Sequence, residues 1–182
     1  MKVKRLMSLR GVVTLAAPLS AIGAGISATY RPVTPNQWLV DFVVTGDGTP
    51  SVINDFTIYF PDATFASLSL AQSPAGWDSL LVQPDPTLHS AGFLDSLALG
   101  TGIGNGGSVG GFEVKFNFLG QGVPPALHFD INDANFHAVF SGVTSVTAVP
   151  EPEIAWLMLL GFAAIAGSRI RAKKQHELGL EA

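Results

Sequence analysis

The sequence predicts an all-β fold: an antiparallel β-sandwich body set between two apolar ends that carry the basic charge. Three observations point there. Apolar residues in the middle of the 182-residue chain recur with a period of two, as in strands with one buried face. Clusters of Gly, Pro, Asp and Ser interrupt those runs about every ten residues, the spacing of short strands joined by turns. Charge is segregated, with eight of the ten Lys and Arg in the first ten residues or after residue 168.

The N-terminal segment reads as a secretory signal peptide, a signal helix over residues 1–28. Lys2, Lys4, Arg5 and Arg10 form a basic region, and Gly11 to Ile26 carry no charge. Small residues follow, with Ala28 the expected last residue before cleavage and Gly25 or Ser27 the second choices. Pro18 disfavours a stable membrane-spanning helix here. The implied partners are the Sec machinery and signal peptidase.

The extracytoplasmic body is expected over residues 29–148. Trp38, Val40, Phe42 and Val44 alternate with Leu39, Asp41 and Val43, and Phe56, Ile58 and Phe60 with Thr57 and Tyr59. The regular run Phe112, Val114, Phe116, Phe118 is broken only by Glu113, Lys115 and Asn117. Leu127, Phe129 and Ile131 form a further inward set, and Phe136, Ala138 and Phe140 another. Weaker strands are expected at 63–70 and 77–83, and a β-branched strand from Val143 onward. Only Ala91–Leu99 has the makings of a short helix. Eleven of the twelve Phe fall in this body, enough for one core. Its pattern looks like the cohesin-like or immunoglobulin-like sandwiches, a likeness of fold that specifies no ligand.

Residues 149–174 have a different architecture. Pro150-Glu151-Pro152 precedes an uncharged run from Ile154 to Gly167, and Arg169, Arg171, Lys173 and Lys174 follow. Fourteen residues span about 21 Å as a helix, short of a ~30 Å hydrocarbon core, and snorkelling basic stems extend the reach. No polar stripe interrupts the run, so a transmembrane helix fits better than a core helix. The basic cluster would anchor it on the cytoplasmic side, leaving the body outside. Residues 175–182 form a short polar tail.

These three parts in order resemble the PEP-CTERM sorting signal. The resemblance covers about 26 residues, on Pro150, Glu151 and Pro152, the stretch Leu157 to Ala164, and the basic residues Arg169 to Lys174. It implies recognition by an exosortase, a membrane-embedded cysteine transpeptidase-like enzyme, and release of the body at the surface of a Gram-negative, exopolysaccharide-producing cell. The interrupted basic cluster and the polar tail beyond it depart from the family's usual pattern.

Composition narrows the function. Residues 29–150 hold two cations, Arg31 and Lys115, against ten carboxylates, a balance of −8 that disfavours nucleic acid as a partner. There is no cysteine, hence no disulfide framework, thiolate metal site or cysteine nucleophile. No cofactor is implied.

Each motif has a plainer reading. Gly102-Ile-Gly104-Asn-Gly106-Gly107 satisfies the dinucleotide-binding spacing but opens a strand rather than a helix, so a flexible loop is expected. Gly106-Gly107-Ser108-Val109-Gly110 satisfies a serine-hydrolase spacing, with Asp130 or Asp133 and His137 following. A nucleophile elbow needs a strand, a sharp turn and a helix, and no helix follows here. Asp130, Asn132, Asp133 and Asn135 crowd oxygen ligands as a weak Ca²⁺ candidate, the alternative being an Asx-rich turn. His89, His128 and His137 lack metal spacing and read as solvated. Trp77 beside Asp78 could stack on a sugar, although Trp at a strand start is more often core.

The expectation is therefore a non-catalytic exported protein of the cell surface or extracellular matrix. A carbohydrate-binding module holding exopolysaccharide is the alternative, and a serine hydrolase a remote one.

Overall fold

The computed structural model describes residues 24–148, and every regular element among them is a β-strand. The strands are β1 (Gly25–Thr34), β2 (Gln37–Thr45), β3 (Val52–Ile53), β4 (Asp55–Phe60), β5 (Phe65–Gln72) and β6 (Trp77–Val82). They continue with β7 (Gly92–Ala98), β8 (Ile103–Gly104), β9 (Ser108–Phe118), β10 (His128–Asn132), β11 (Ala138–Val143) and β12 (Ser145–Ala148). One five-stranded sheet has the order β12-β1-β2-β9-β5 and the other β11-β10-β4-β7-β6, with β3-β8 a short separate ribbon. Residues 1–23 of the expected signal helix, and the whole of the expected transmembrane helix and sorting signal, lie outside the described residues. Among the described residues no helix is long and apolar enough to cross a membrane.

The period-two pattern builds the core. Val40, Phe42 and Val44 of β2 and Phe112, Val114 and Phe116 of β9 face Phe56, Ile58 and Phe60 of β4, all fully buried. Edge-to-face rings join the layers: Phe56 meets Phe112 at 4.9 Å, and Phe60 meets Phe65 at 5.5 Å. Such pairs add about 0.5–1.5 kcal/mol each beyond area burial. A bulge at Gly111 (φ 89°) lets β9 keep its apolar face inward, and Asp41 Oδ1 accepts from the Gly111 amide at 3.2 Å.

A second irregularity shapes β5, where Ser67 has φ 54° and the pairing with β9 slips. The amide of Gln83 takes both backbone groups of Leu68. Leu68 N–H donates to Oε1 at 2.9 Å and Nε2 donates to Leu68 C=O at 2.6 Å. One side chain thus replaces a missing strand neighbour.

Four expectations need correction. The boundary after Ala28 falls inside β1, because Gly25 to Ala28 pair with Phe42 to Thr45 and Ile26 and Ala28 are buried. Ala91–Leu99 holds β7, not a helix, because its alternation of Gly92, Leu94 and Ser96 inward matches its neighbours β4 and β6. The sandwich is not wholly antiparallel: β12 lies parallel to β1, Ser145 opposite Ser27 and Ala148 opposite Tyr30. The glycine run contains β8, and a Cβ at Gly102 would stand 2.2 Å from the Ile53 carbonyl oxygen, so glycine there permits close packing.

Candidate functional site

The outward face of the β4 sheet carries a hydrogen-bonded array of polar side chains. Asp55, Thr57 and Tyr59 alternate with the core residues of β4. Register places Thr57 between Asp130 of β10 and Asp95 of β7, and Asp55 between Asn132 and Leu97. Thr57 Oγ1 donates to Asp95 Oδ1 at 2.7 Å. Asn132 Nδ2 donates to Asp55 Oδ1 at 2.9 Å and to Thr57 Oγ1 at 3.0 Å. Tyr59 donates to Asp130 Oδ2 at 2.9 Å, Ser141 donates to the other oxygen, and His128 stacks on Tyr59 at 5.7 Å. Burial, then the bond to Asp130, pushes the Tyr59 hydroxyl up to about 12.

At the Asp55 end this face opens into a groove of about 630 Å³. Pro50, Val52, Leu97 and Val139 supply apolar walls, and Asn54, Asp55, Asn132 and Asp133 the polar ones. Asp55 is only 2% exposed, and its Oδ2 has no hydrogen-bond partner. Burial raises its pKa above the ordinary carboxylate value, opposed by the Asn132 hydrogen bond and assisted by Asp95.

The β10–β11 turn forms the rim. Asp133 Oδ1 accepts from the amides of Asn135 (2.8 Å) and His137 (3.0 Å), and these bonds, His137 first, hold its carboxyl below the usual range. The turn sets Phe136 at φ 60° with 69% of its surface exposed. Phe136 was expected in the core. The turn extends through His137, and β11 starts only at Ala138, so the expected alternation fails there.

The sequence-derived candidates disperse. Trp77 is 9% exposed and packs on Phe112 (5.3 Å) and Phe56 (5.7 Å), so it is a core residue and no sugar platform. Asp78 stands beside it on the opposite face of β6. The Ca²⁺ candidates do not converge. Asp130 is bonded to Tyr59 and Ser141, Asn132 points its amide at Asp55, and Asp133 closes its own turn on Asn135. No cluster of three or more His, Cys, Asp or Glu able to hold a metal occurs among the described residues. Ser108 begins β9 opposite Thr45, a strand position that cannot form a nucleophile elbow. Pro150, Glu151, Pro152, Arg169, Arg171, Lys173 and Lys174 lie outside the described residues.

Sequence reasoning missed Asp55 and Phe136 as groove residues. The one signal for Asp55 was an acid at the head of a strand of core residues. Nothing local pairs it with Asn132, 77 positions away.

No family model matches the chain, and no curated protein matches it in sequence. Among solved structures it is similar to a cohesin module from a Clostridium perfringens ATCC13124 family 33 glycoside hydrolase. That match has 6% identity and a TM-score of 0.44, covering 71% of this chain and all of the module. A second similarity is to a GH20 exo-β-N-acetylglucosaminidase from Vibrio harveyi, at 11% identity and a TM-score of 0.32. It covers 69% of this chain and 18% of that enzyme's length.

Proposed function

We propose that this is a non-catalytic exported protein of the bacterial cell surface or extracellular matrix, sorted through its C-terminal signal by an exosortase. The observation that carries the reading is the order of parts along the chain. A basic n-region with an apolar run comes first, then the β-sandwich body, Pro150-Glu151-Pro152, a second apolar run and the basic residues from Arg169. Each proline removes an amide donor, and Pro152 disfavours helix at Glu151, so the motif favours an extended segment that a protease could bind. β12 ends at Ala148, two residues before Pro150, so the motif follows the sandwich without a long linker. Secretion machinery, signal peptidase and exosortase are the partners of this reading. It places the precursor in the inner membrane and the released body outside.

Replacing Pro150, Glu151 and Pro152 together with Ala should leave export intact and the C-terminal segment attached. Mass spectrometry of the released body in an exosortase-bearing host reads this directly. Release and trimming equal to the native protein's would refute it.

A second reading, a carbohydrate-binding module, loses its support at Trp77 and gains it from the groove beside Asp55. Catalysis has less support. A glycoside hydrolase needs two cooperating carboxyl groups, and Asp133 Oδ1 is already committed to two backbone amides.

A further inference from the structure

The groove combines three features. Its floor holds Asp55, a buried carboxylate with one oxygen left without a partner. Asn132 has spent its amide hydrogens on Asp55 and Thr57, leaving its carbonyl oxygen to accept. Its rim holds Phe136, an exposed ring set by a left-handed backbone that the Asp133 turn enforces. A side chain this apolar held in water by a strained residue is the arrangement of a contact surface.

We propose that this groove binds a neutral saccharide. Its hydroxyls would donate to the Asn132 carbonyl, which the hydrogen bond from Asn132 to Asp55 orients, and Phe136 would cover the apolar face of one ring. The floor offers an acceptor, and a sugar edge offers several donors. A pyranose also has a C–H face, which suits the walls at Val52, Leu97 and Val139. The volume, about 630 Å³, lies in the range of small-molecule sites and is far larger than a lysine head group needs. A sugar acid is disfavoured, because the body carries ten carboxylates against two cations.

The topology gives the groove a direction. β11 starts beside Asn132 at the groove and runs to Val143 opposite His128, and β12 carries the chain on along β1 toward Tyr30. The chain therefore heads for the C-terminal signal away from the groove, so a body tethered there would present the groove outward. This deepens the carbohydrate-binding reading and rests on it.

The test uses the full-length, isotope-labelled chain in a zwitterionic detergent that carries no sugar. Cellotetraose, maltotetraose and N-acetylchitotetraose are titrated separately, with trilysine and tetragalacturonate as charged comparators. At least one neutral tetrasaccharide should shift the amide signals of Asn135, Phe136 and His137 with a millimolar or tighter Kd. Phe136→Ala should weaken that binding at least tenfold, and Asp55→Asn at least fivefold. Silence from all three, tighter binding of trilysine or tetragalacturonate, or affinity unchanged by Phe136→Ala would each overturn the proposal. Phe136 is exposed, so its variant keeps the fold, which an unchanged urea midpoint verifies. The titration is blind to sorting: its failure leaves C-terminal processing untouched, and an untrimmed tail in the cell leaves the titration standing.

Discussion

A mature protein beginning at Thr29 would lack the first four of the ten residues of β1, and its stability measures what those residues contribute. Ile26 is 2% exposed, and its loss from the core corresponds to about 2–5 kcal/mol. Ala24 and Ala28 are also buried, and their methyl groups add about 0.8 kcal/mol each. The lost strand hydrogen bonds are largely offset by the chain entropy that five residues no longer surrender. The net cost is about 4 kcal/mol, a large share of a typical 5–15 kcal/mol stability. With a urea slope of about 2 kcal/mol per molar, the unfolding midpoint should fall by about 2 M in a body starting at Thr29 rather than Ala24. The physical expectation is that signal peptidase cuts before Ala24, where Ala21 and Gly23 provide small residues at the positions it reads. N-terminal sequencing of the exported protein checks this. Thr29 as its first residue, or equal urea midpoints for the two bodies, would refute the reasoning.

Two further outcomes follow from single side chains. Gln83→Leu keeps the volume but strands the amide and carbonyl of Leu68, which should cost about 2–3 kcal/mol and lower Tm by about 8–12 °C in a thermal melt; an unchanged Tm would deny Gln83 its bridging role. Asp55 has a folded-state pKa raised above its unfolded value, so its contribution is full below about pH 3.9 and is lost as pH rises through the folded pKa. Asp55→Asn should therefore favour stability more at pH 7 than at pH 3.5, read from urea midpoints at both values. The same difference at both pH values would show that Asp55 ionises without penalty.

The groove was invisible in the sequence for a physical reason. Burial of alternate residues is a local property, so Phe56, Ile58 and Phe60, or Phe112, Val114 and Phe116, announce their strand and its inner face without reference to the rest of the chain. Which outward residues meet is decided by register between strands far apart in sequence, as for Asp55 with Asn132. Trp77 shows the same limit from the other side. Its neighbours in sequence allowed a surface platform, and only the packing of Phe112 across the sandwich made it core.

The sequence by itself determined the all-β class, most inward-facing residues, the acidic surface and the order of parts that suggests export and sorting. Each of these follows from composition or from a short local period. Only the tertiary structure decided that Gly25 to Ala28 belong to β1, that Ala91–Leu99 is a strand, that β12 runs parallel to β1, and that Asp55 and Phe136 share a groove. Those outcomes depend on partners: β2 and β12 recruit the start of β1, β4 and β6 flank β7, and the Asp133 turn fixes Phe136 at the rim. Free energy held in contacts between distant segments leaves little trace in the segments themselves.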